Sequence, residues 1–321
     1  MQSQSNWTFT IGTRLKNSAW ISVPSIIESN QVTVTVIIAT KNEEQNLRNC
    51  LESVKWADQV IVVDSGSTDR TREIAEESGA HFHVFEYGGG WPKKRNWAIN
   101  SGLVKHPWVL ILDADERVSA SLRDEIQAAI NTEHFDGYYI KWKFIFLGKW
   151  MKHSWSHGWM MRLFRNGKGE YENLNMTDEG GWDAEVHENV IVEGSCGKLS
   201  HCLDHDSSHD LHRWVQKQND FSTWNAKRRI KQLDSPLPAL HYFLSNDPVK
   251  RRKWMKAFFL RLPGKPLLIF FYLYFFKMGF LDGVAGFYFC SMRACHELNI
   301  NAKAFENQLE SMNQQNEDSS N

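Results

Sequence analysis

Residues 32–40 read VTVTVIIAT and residues 60–69 read VIVVDSGSTD, and these two segments decide the fold. The first is β-branched and almost continuously apolar, as a strand covered on both faces must be. Between them Leu47, Cys50, Leu51 and Val54 recur at i, i+3, i+4 and i+7, an amphipathic helical stripe for which Asn42 is a candidate cap. The alternation then repeats. Val60–Val63 predicts a second strand, the turn at Asp64–Asp69 leads into a charged helix ending at Gly79, and His81–Phe85 predicts a third strand. After Gly88-Gly89-Gly90, Pro92 opens a helix through Asn100, and Trp108–Leu112 predicts a fourth strand running into Asp113-Ala114-Asp115-Glu116. Strands alternating with helices mean an α/β fold with a mostly parallel, Rossmann-like sheet and helices on both faces. Ligands in such sheets sit beyond the carboxyl ends of the strands. The polar clusters at 40–44, 64–69 and 113–116 all fall there.

Beyond residue 136 the texture changes. Tyr138–Phe146 and Met160–Arg165 read as aromatic-rich strands, WDAEVHENV (182–190) as a loop, and a helix carrying Trp214, Phe221 and Trp224 is expected after Ser207. Four regions result: an N-terminal extension (1–30), an α/β domain (31–230), a basic and apolar helical region (231–296), and a polar tail (297–321) expected to fray.

The chain has 321 residues, 37 Lys+Arg against 38 Asp+Glu, and a formal net charge of −1, which argues against nucleic acid as a partner. A mean hydropathy of −0.48 excludes a multi-span membrane protein. Five cysteines with no CxxC spacing speak against a disulfide scaffold or thiolate zinc site. The start, MQSQSNWTFT, shows no basic segment followed by an apolar one, so a reducing, cytoplasmic setting is expected.

Several residues invite chemistry. Asp113 and Asp115 place two carboxylates at the mouth of the sheet, where like charges need a cation or a proton to relieve them. Oxygen ligands favour Mg²⁺ or Mn²⁺, and such an ion would bridge a substrate diphosphate. A D-x-D alone more often describes a solvated loop with a helix cap. Asp64 can accept hydrogen bonds from a base or ribose, or simply cap its own turn. Lys93, Lys94 and Arg95 open a helix, where cations oppose the macrodipole unless an anion binds. Asp183, Glu185, His187 and Glu188 crowd one short segment, offering a general base and a metal ligand. His201, His205 and His209 follow at four-residue spacing, which on a helix would align a zinc-like face. Ser207 and Ser208 read instead as a helix start.

Taken together, VIIATKNEE, VVDSGSTD, WPKKRNWAI and LILDADE, in that order on successive strand ends, resemble the family 2 glycosyltransferases of the GT-A fold. MRLFR (161–165) and VHENV (186–190) are similar to the branch containing lipopolysaccharide-core glucosyltransferases. The resemblance covers about residues 32–292. It implies that Thr40, Asn42 and Glu43 line a nucleotide pocket and that Asp64 reads the uracil or ribose. Lys94, Arg95 and Asn96 would lie near the diphosphate and donor sugar. Asp113 and Asp115 would form the D-x-D, with Asp115 the more direct ligand of Mn²⁺ or Mg²⁺ and His187 or His205 a further ligand. The base would be Glu188, then Asp183 or Glu185. The expected reaction is an inverting transfer from a nucleotide-sugar donor, a UDP-sugar, to a glycan or lipid-linked acceptor of cell-envelope polysaccharide or lipopolysaccharide.

Two departures bear on this. Many members read DDGSTD where this chain has Ser65 in second place, and the Q-x-x-R-W of processive synthases is absent, since Asp210 precedes Arg213-Trp214. Rival readings are a sugar-phosphate nucleotidyltransferase, whose Gly-rich basic signature is missing after the first strand, and an inactive membrane-bound carbohydrate-binding scaffold. Finally, Lys227–Lys265 holds eleven Lys/Arg against two Asp, a net of +9, and adjoins the apolar runs Pro266–Phe276 and Gly283–Met292. Neither run reaches the ~20 residues of a span. The expectation is peripheral attachment to the inner face of the cytoplasmic membrane. A buried helix pair of the globular domain is the alternative.

Overall fold

The computed structural model describes residues 32–89, 91–132, 134–155, 158–173, 189–206, 211–262 and 264–318. Strands β1 (Val34–Thr40), β2 (Gln59–Asp64), β3 (His81–Val84) and β4 (Trp108–Asp113) pair in the order β3-β2-β1-β4, all parallel. Helices α1 (Leu47–Ser53), α2 (Thr71–Glu77) and α3 (Lys94–Asn100) make the crossovers. The alternation of each strand is read out on its two faces. Val34, Val36 and Ile38 pack with Leu47, Cys50, Leu51 and Val54 of α1, while Ile37, Ile61 and Ile111 pack with Ala98 and Ile99 of α3.

The mostly parallel sheet holds only for this half. Beyond it come β5 (Glu116–Arg117), α4 (Ala120–Ile130), β6 (Gly137–Phe146), β7 (Lys149–Trp150) and β8 (Trp159–Arg165). They are followed by the hairpin β9 (Gly169–Tyr171) and β10 (Val190–Val192), then β11 (Cys196–Asp206). β8 joins β4 antiparallel, β6 joins β8 antiparallel, β11 joins β6 parallel, and β5 closes the edge antiparallel to β11. The sheet is therefore mixed. The cause is that β6 and β8 lack a helical crossover between them, so they meet antiparallel.

The C-terminal third is helical. α5 (Leu211–Asp234), α6 (Pro248–Leu260) and α7 (Lys265–Phe271) are followed by a π-turn at Tyr272–Phe276, a 3₁₀ turn at Gly279–Asp282 and the long α8 (Gly283–Asp318). The fraying expected from 297 does not occur through Asp318. α8 continues across that point because Ile300 and Ala304 are buried, each 4% exposed, giving the polar stretch an apolar seam. A third core of Phe144, Phe146, Met151, Trp214, Phe289 and Cys290 joins β6, α5 and α8. Asp282, 2% exposed, fixes the turn before α8: its carboxylate accepts from the backbone N–H of Lys152, His153 and Ser154 and from the Ser154 hydroxyl.

Candidate active site

At the carboxyl ends of β1 and β4 lies a cavity of about 540 Å³, bounded on its far side by α5 and α8. Of the expected site residues, Thr40, Glu43, Lys94, Arg95, Asp113, Asp115 and His205 line it. Asp113 and Asp115 do different work. Arg95 and Arg162 both pair with the Asp113 carboxylate, Arg162 Nη2 at 3.0 Å. Burial alone would push this carboxyl up, but the two guanidiniums hold it well below the usual range. Arg162 also donates to Glu116 at 2.7 Å, and Glu116 accepts from the backbone N–H of Asp113 at 2.9 Å. Glu116 is fully buried, and burial pushes its carboxyl up to about 7 against the opposing pull of Arg162.

Asp115 makes no such pair with arginine among the described residues. It is 8% exposed, less open than a loop D-x-D suggests. Its Oδ1 lies 3.5 Å from Nδ1 of His205, an atom that is buried and has no hydrogen-bond partner. The β5–β11 ladder, which places His205 opposite Glu116, brings the two residues together. His205 stacks on Trp142 at 4.9 Å and 13° and on Phe144 at 5.7 Å, so its ring is held in place. His201 and His205 thus lie on a strand, not a helix, and His201 turns away to Glu125 at 2.7 Å. Glu43, whose carboxyl is raised by burial and by Asp115, and Lys217 of α5, raised by Asp115, complete this wall.

A cation fits between Asp115 and His205, whose orphaned nitrogen is the observation in its favour. Among the described residues no group of three or more His, Cys, Asp or Glu stands ready to hold an ion, so further ligands must come from elsewhere.

Three of the expected residues are not part of the cavity lining. Asp64 is outside the cavity lining and 2% exposed; its carboxylate accepts from the Thr40 hydroxyl at 2.9 Å and from the Ser67 backbone N–H at 2.6 Å. Asn42 is not the cap of α1, which begins five residues later at Leu47. With φ of +55° it bridges two loops, donating its N–H to Ser67 Oγ and accepting from the Thr68 N–H. Asn96 is fully buried and exchanges two hydrogen bonds with the Tyr171 backbone, fixing β9 rather than facing the cavity. Lys94, also buried, donates from Nζ to the Thr40 carbonyl at 2.7 Å. Asp183, Glu185, His187 and Glu188 lie outside the described residues. Arg162, Glu116, Tyr171 and Lys217 were not singled out from sequence. The signal for Arg162 was present: it is a charge flanked by apolar Met160, Met161, Leu163 and Phe164 on a strand.

Residues 35–183 match the family model described as glycosyl transferase family 2. An uncharacterized glycosyltransferase of Rickettsia bellii (strain RML369-C) is 31% identical over 238 residues, covering 71% of this chain and 76% of its own length. The protein belongs to glycosyltransferase family 2. The lipopolysaccharide core biosynthesis glycosyltransferase LpsC of Rhizobium meliloti (strain 1021) is 26% identical over 212 residues, 63% of this chain and 74% of its own. Among solved structures, glucosyl-3-phosphoglycerate synthase from Mycobacterium tuberculosis in complex with Mn²⁺, UDP and glucosyl-3-phosphoglycerate is 23% identical, with a TM-score of 0.29 over 35% of this chain and 44% of that one. The chain is thus a glycosyltransferase by family, and the nucleotidyltransferase reading falls with that.

Proposed function

We propose that this glycosyltransferase moves a sugar from a UDP-sugar to a glycan or lipid-linked acceptor in cell-envelope polysaccharide or lipopolysaccharide synthesis, with inversion at the anomeric carbon. The observation that carries the reading is the pair Asp115 and His205 at the end of β4, beside Lys94 and Arg95 in one cavity. Asp115 and His205 would hold Mn²⁺ or Mg²⁺, which supplies charge neutralisation to a departing diphosphate. Arg95 and Arg162, locked on Asp113, set a fixed positive wall beside that position. Stacked Trp142 and Phe144 keep His205 from swinging away. A base must take the acceptor hydroxyl proton as the new bond forms. We assign it to Glu188, with Asp183 and Glu185 as alternates, from their concentration in the VHE segment.

The test is release of UDP from UDP-sugar with and without Mn²⁺. Metal-dependent UDP release, lost in Asp115→Asn, supports the reading. Turnover that ignores both metal and Asp115 overturns it, and no turnover with any UDP-sugar would favour an inactive carbohydrate-binding scaffold.

We also propose that the protein sits on the inner face of the cytoplasmic membrane. No single described helix is long and apolar enough to cross a bilayer; one bent pair, Pro248–Leu260 with Lys265–Phe276, meets length and composition together at 113°. Support comes from what α7 and the turns after it leave in solvent. Phe271, Tyr272, Phe275 and Phe276 are 50–82% exposed, next to the basic α6.

A further inference from the structure

Between α5, α6 and α8 lies a second cavity of about 280 Å³, lined by Asn225, Arg228, Arg229, Lys256, Arg293 and His296 among others. Its charge is one-sided. Glu297 is the one carboxylate in the described lining, and it is taken by Arg229 at 2.5 Å and by Lys265 at 2.6 Å. Arg228, Lys256 and Arg293 have no ion pair among the described residues. Arg293 is buried enough that desolvation pushes its guanidinium below its usual range, and only Glu297 opposes this. His296 is 8% exposed, with a buried Nδ1 that has no hydrogen-bond partner.

Lys256 is exposed and Arg228 and Arg293 are half-buried, and because the one carboxylate among them is already engaged, a cluster of this kind is satisfied by an anion. Three cationic side chains and the Asn225 amide offer more donors than a two-oxygen carboxylate can use. A tetrahedral phosphate matches them.

The position says whose phosphate it is. Arg293 lines both this cavity and the catalytic one, and its guanidinium lies over Trp155 of the catalytic lining at 5.7 Å. A molecule reaching from one cavity to the other passes Arg293. On the sugar-transfer reading the donor's phosphates belong with Lys94, Arg95 and Asp115 at the strand ends, whereas Arg293 lies on α8. We infer that the basic cavity binds a phosphate group carried by the acceptor, so that the acceptor is a phosphorylated glycan or lipid-linked phosphate. This rests on the sugar-transfer reading for the word acceptor, but not for the phosphate site.

The full-length protein, with the catalytic cavity occupied by UDP and Mg²⁺, is titrated with inorganic phosphate. The wild type is expected to bind, and Arg228→Ala, on the α5 surface, to bind at least tenfold more weakly. Lys256→Ala should weaken binding as well, and Arg228→Lys should recover part of it. UDP affinity and acceptor-free UDP-sugar hydrolysis should not change in Arg228→Ala. A parallel arm measures sedimentation with phosphatidylglycerol vesicles, where Arg228→Ala should match the wild type. The inference is overturned if the wild type binds no phosphate, or if both alanine variants bind it as the wild type does. It is equally overturned if Arg228→Ala loses vesicles while keeping phosphate, which would assign the site to a bilayer headgroup. If UDP itself fails to bind, the sugar-transfer reading fails, while phosphate titration without UDP still reads the basic cavity.

Discussion

The two carboxylates of the D-x-D separate by what each touches. Asp113 is held between Arg95 and Arg162, so Asp113→Ala takes a carboxylate from half-buried Arg95 and leaves buried Arg162 with Glu116 alone. Breaking such a pair costs roughly 3–5 kcal/mol, and chemical denaturation should show a loss of that size. Asp115 faces His205 instead, so Asp115→Asn keeps shape and should leave stability within about 1 kcal/mol while abolishing transfer. A pair of variants that both unfold, or both only lose activity, would contradict this division. The small protein ligand set gives a second expectation. If Asp115 and His205 hold the ion as proposed, it would depend on substrate phosphate for further ligands, as hard cations bound by few carboxylates do. Mn²⁺ titrated calorimetrically into protein alone should bind weakly, and UDP should tighten it by at least tenfold. Equal affinity with and without UDP would point to a complete protein site. For the base, Glu188→Ala should lower turnover by about 10²–10⁴-fold with UDP binding intact.

At the scale of elements, the first half of the fold was legible and the reasons are local. β1, β2 and β4 are short, apolar and punctuated by turn residues, and Leu47, Cys50, Leu51 and Val54 are all at most 4% exposed, as their spacing implied. The second half was less so, because the joining of β8 to β4 and of β11 to β6 depends on partners distant in sequence. His205 illustrates the limit: Ser207 and Ser208 argued against a helix through His201 and His205, but only strand pairing with β5 sets His205 beside Asp115. Asp282 is another case. In sequence it interrupts two apolar runs; in the fold it accepts three backbone N–H bonds and anchors the C-terminal helices. α8 crosses that turn closely, since a Cβ on Gly286 would come within 2.2 Å of the Gly279 carbonyl oxygen. Gly286→Ala should therefore destabilise despite alanine's better helix propensity of about 1 kcal/mol, and a rise in Tm would refute the close packing. His296 adds a pH dependence. Burial, then Arg293, lowers its pKa below the usual value, so the unfolded chain takes a proton first as pH falls. Stability contributed by neutral His296 is full above about pH 6.5 and is lost as pH falls toward the lowered folded value. Urea unfolding of His296→Gln, compared with wild type between pH 7.5 and 5, should show a shallower loss.

For the molecule as a whole, the unresolved contrast in the sequence was between a buried helix pair and a membrane surface. The structure gives 265–292 two sides. Lys265, Pro266, Gly279, Asp282, Phe289 and Cys290 face the protein and are buried. Leu267, Phe271, Phe275, Phe276, Val284 and Tyr288 are 49–82% exposed. A patch of that chemistry on a soluble surface calls for a covering partner. The neighbouring α6 carries Lys250, Arg251, Arg252, Lys253 and Lys256 with Asp247 as its cap, so the covering surface should be anionic. Each Lys or Arg close to an anionic leaflet contributes about 1 kcal/mol, and each large apolar side chain taken out of water contributes about 1.5–3 kcal/mol. The two terms respond to different perturbations. Raising salt from 0.05 to 0.5 M should weaken binding to phosphatidylglycerol vesicles without abolishing it, because screening removes the charge term alone. Phe271→Ser with Phe276→Ser, both on the exposed side, should weaken binding at either salt concentration, most of all at 0.5 M where the charge term is screened, while leaving UDP binding unchanged. Co-sedimentation reads both. Full-length wild type remaining in the supernatant with anionic vesicles at low salt would remove the membrane from the account, and the exposed aromatic face would then call for a protein partner.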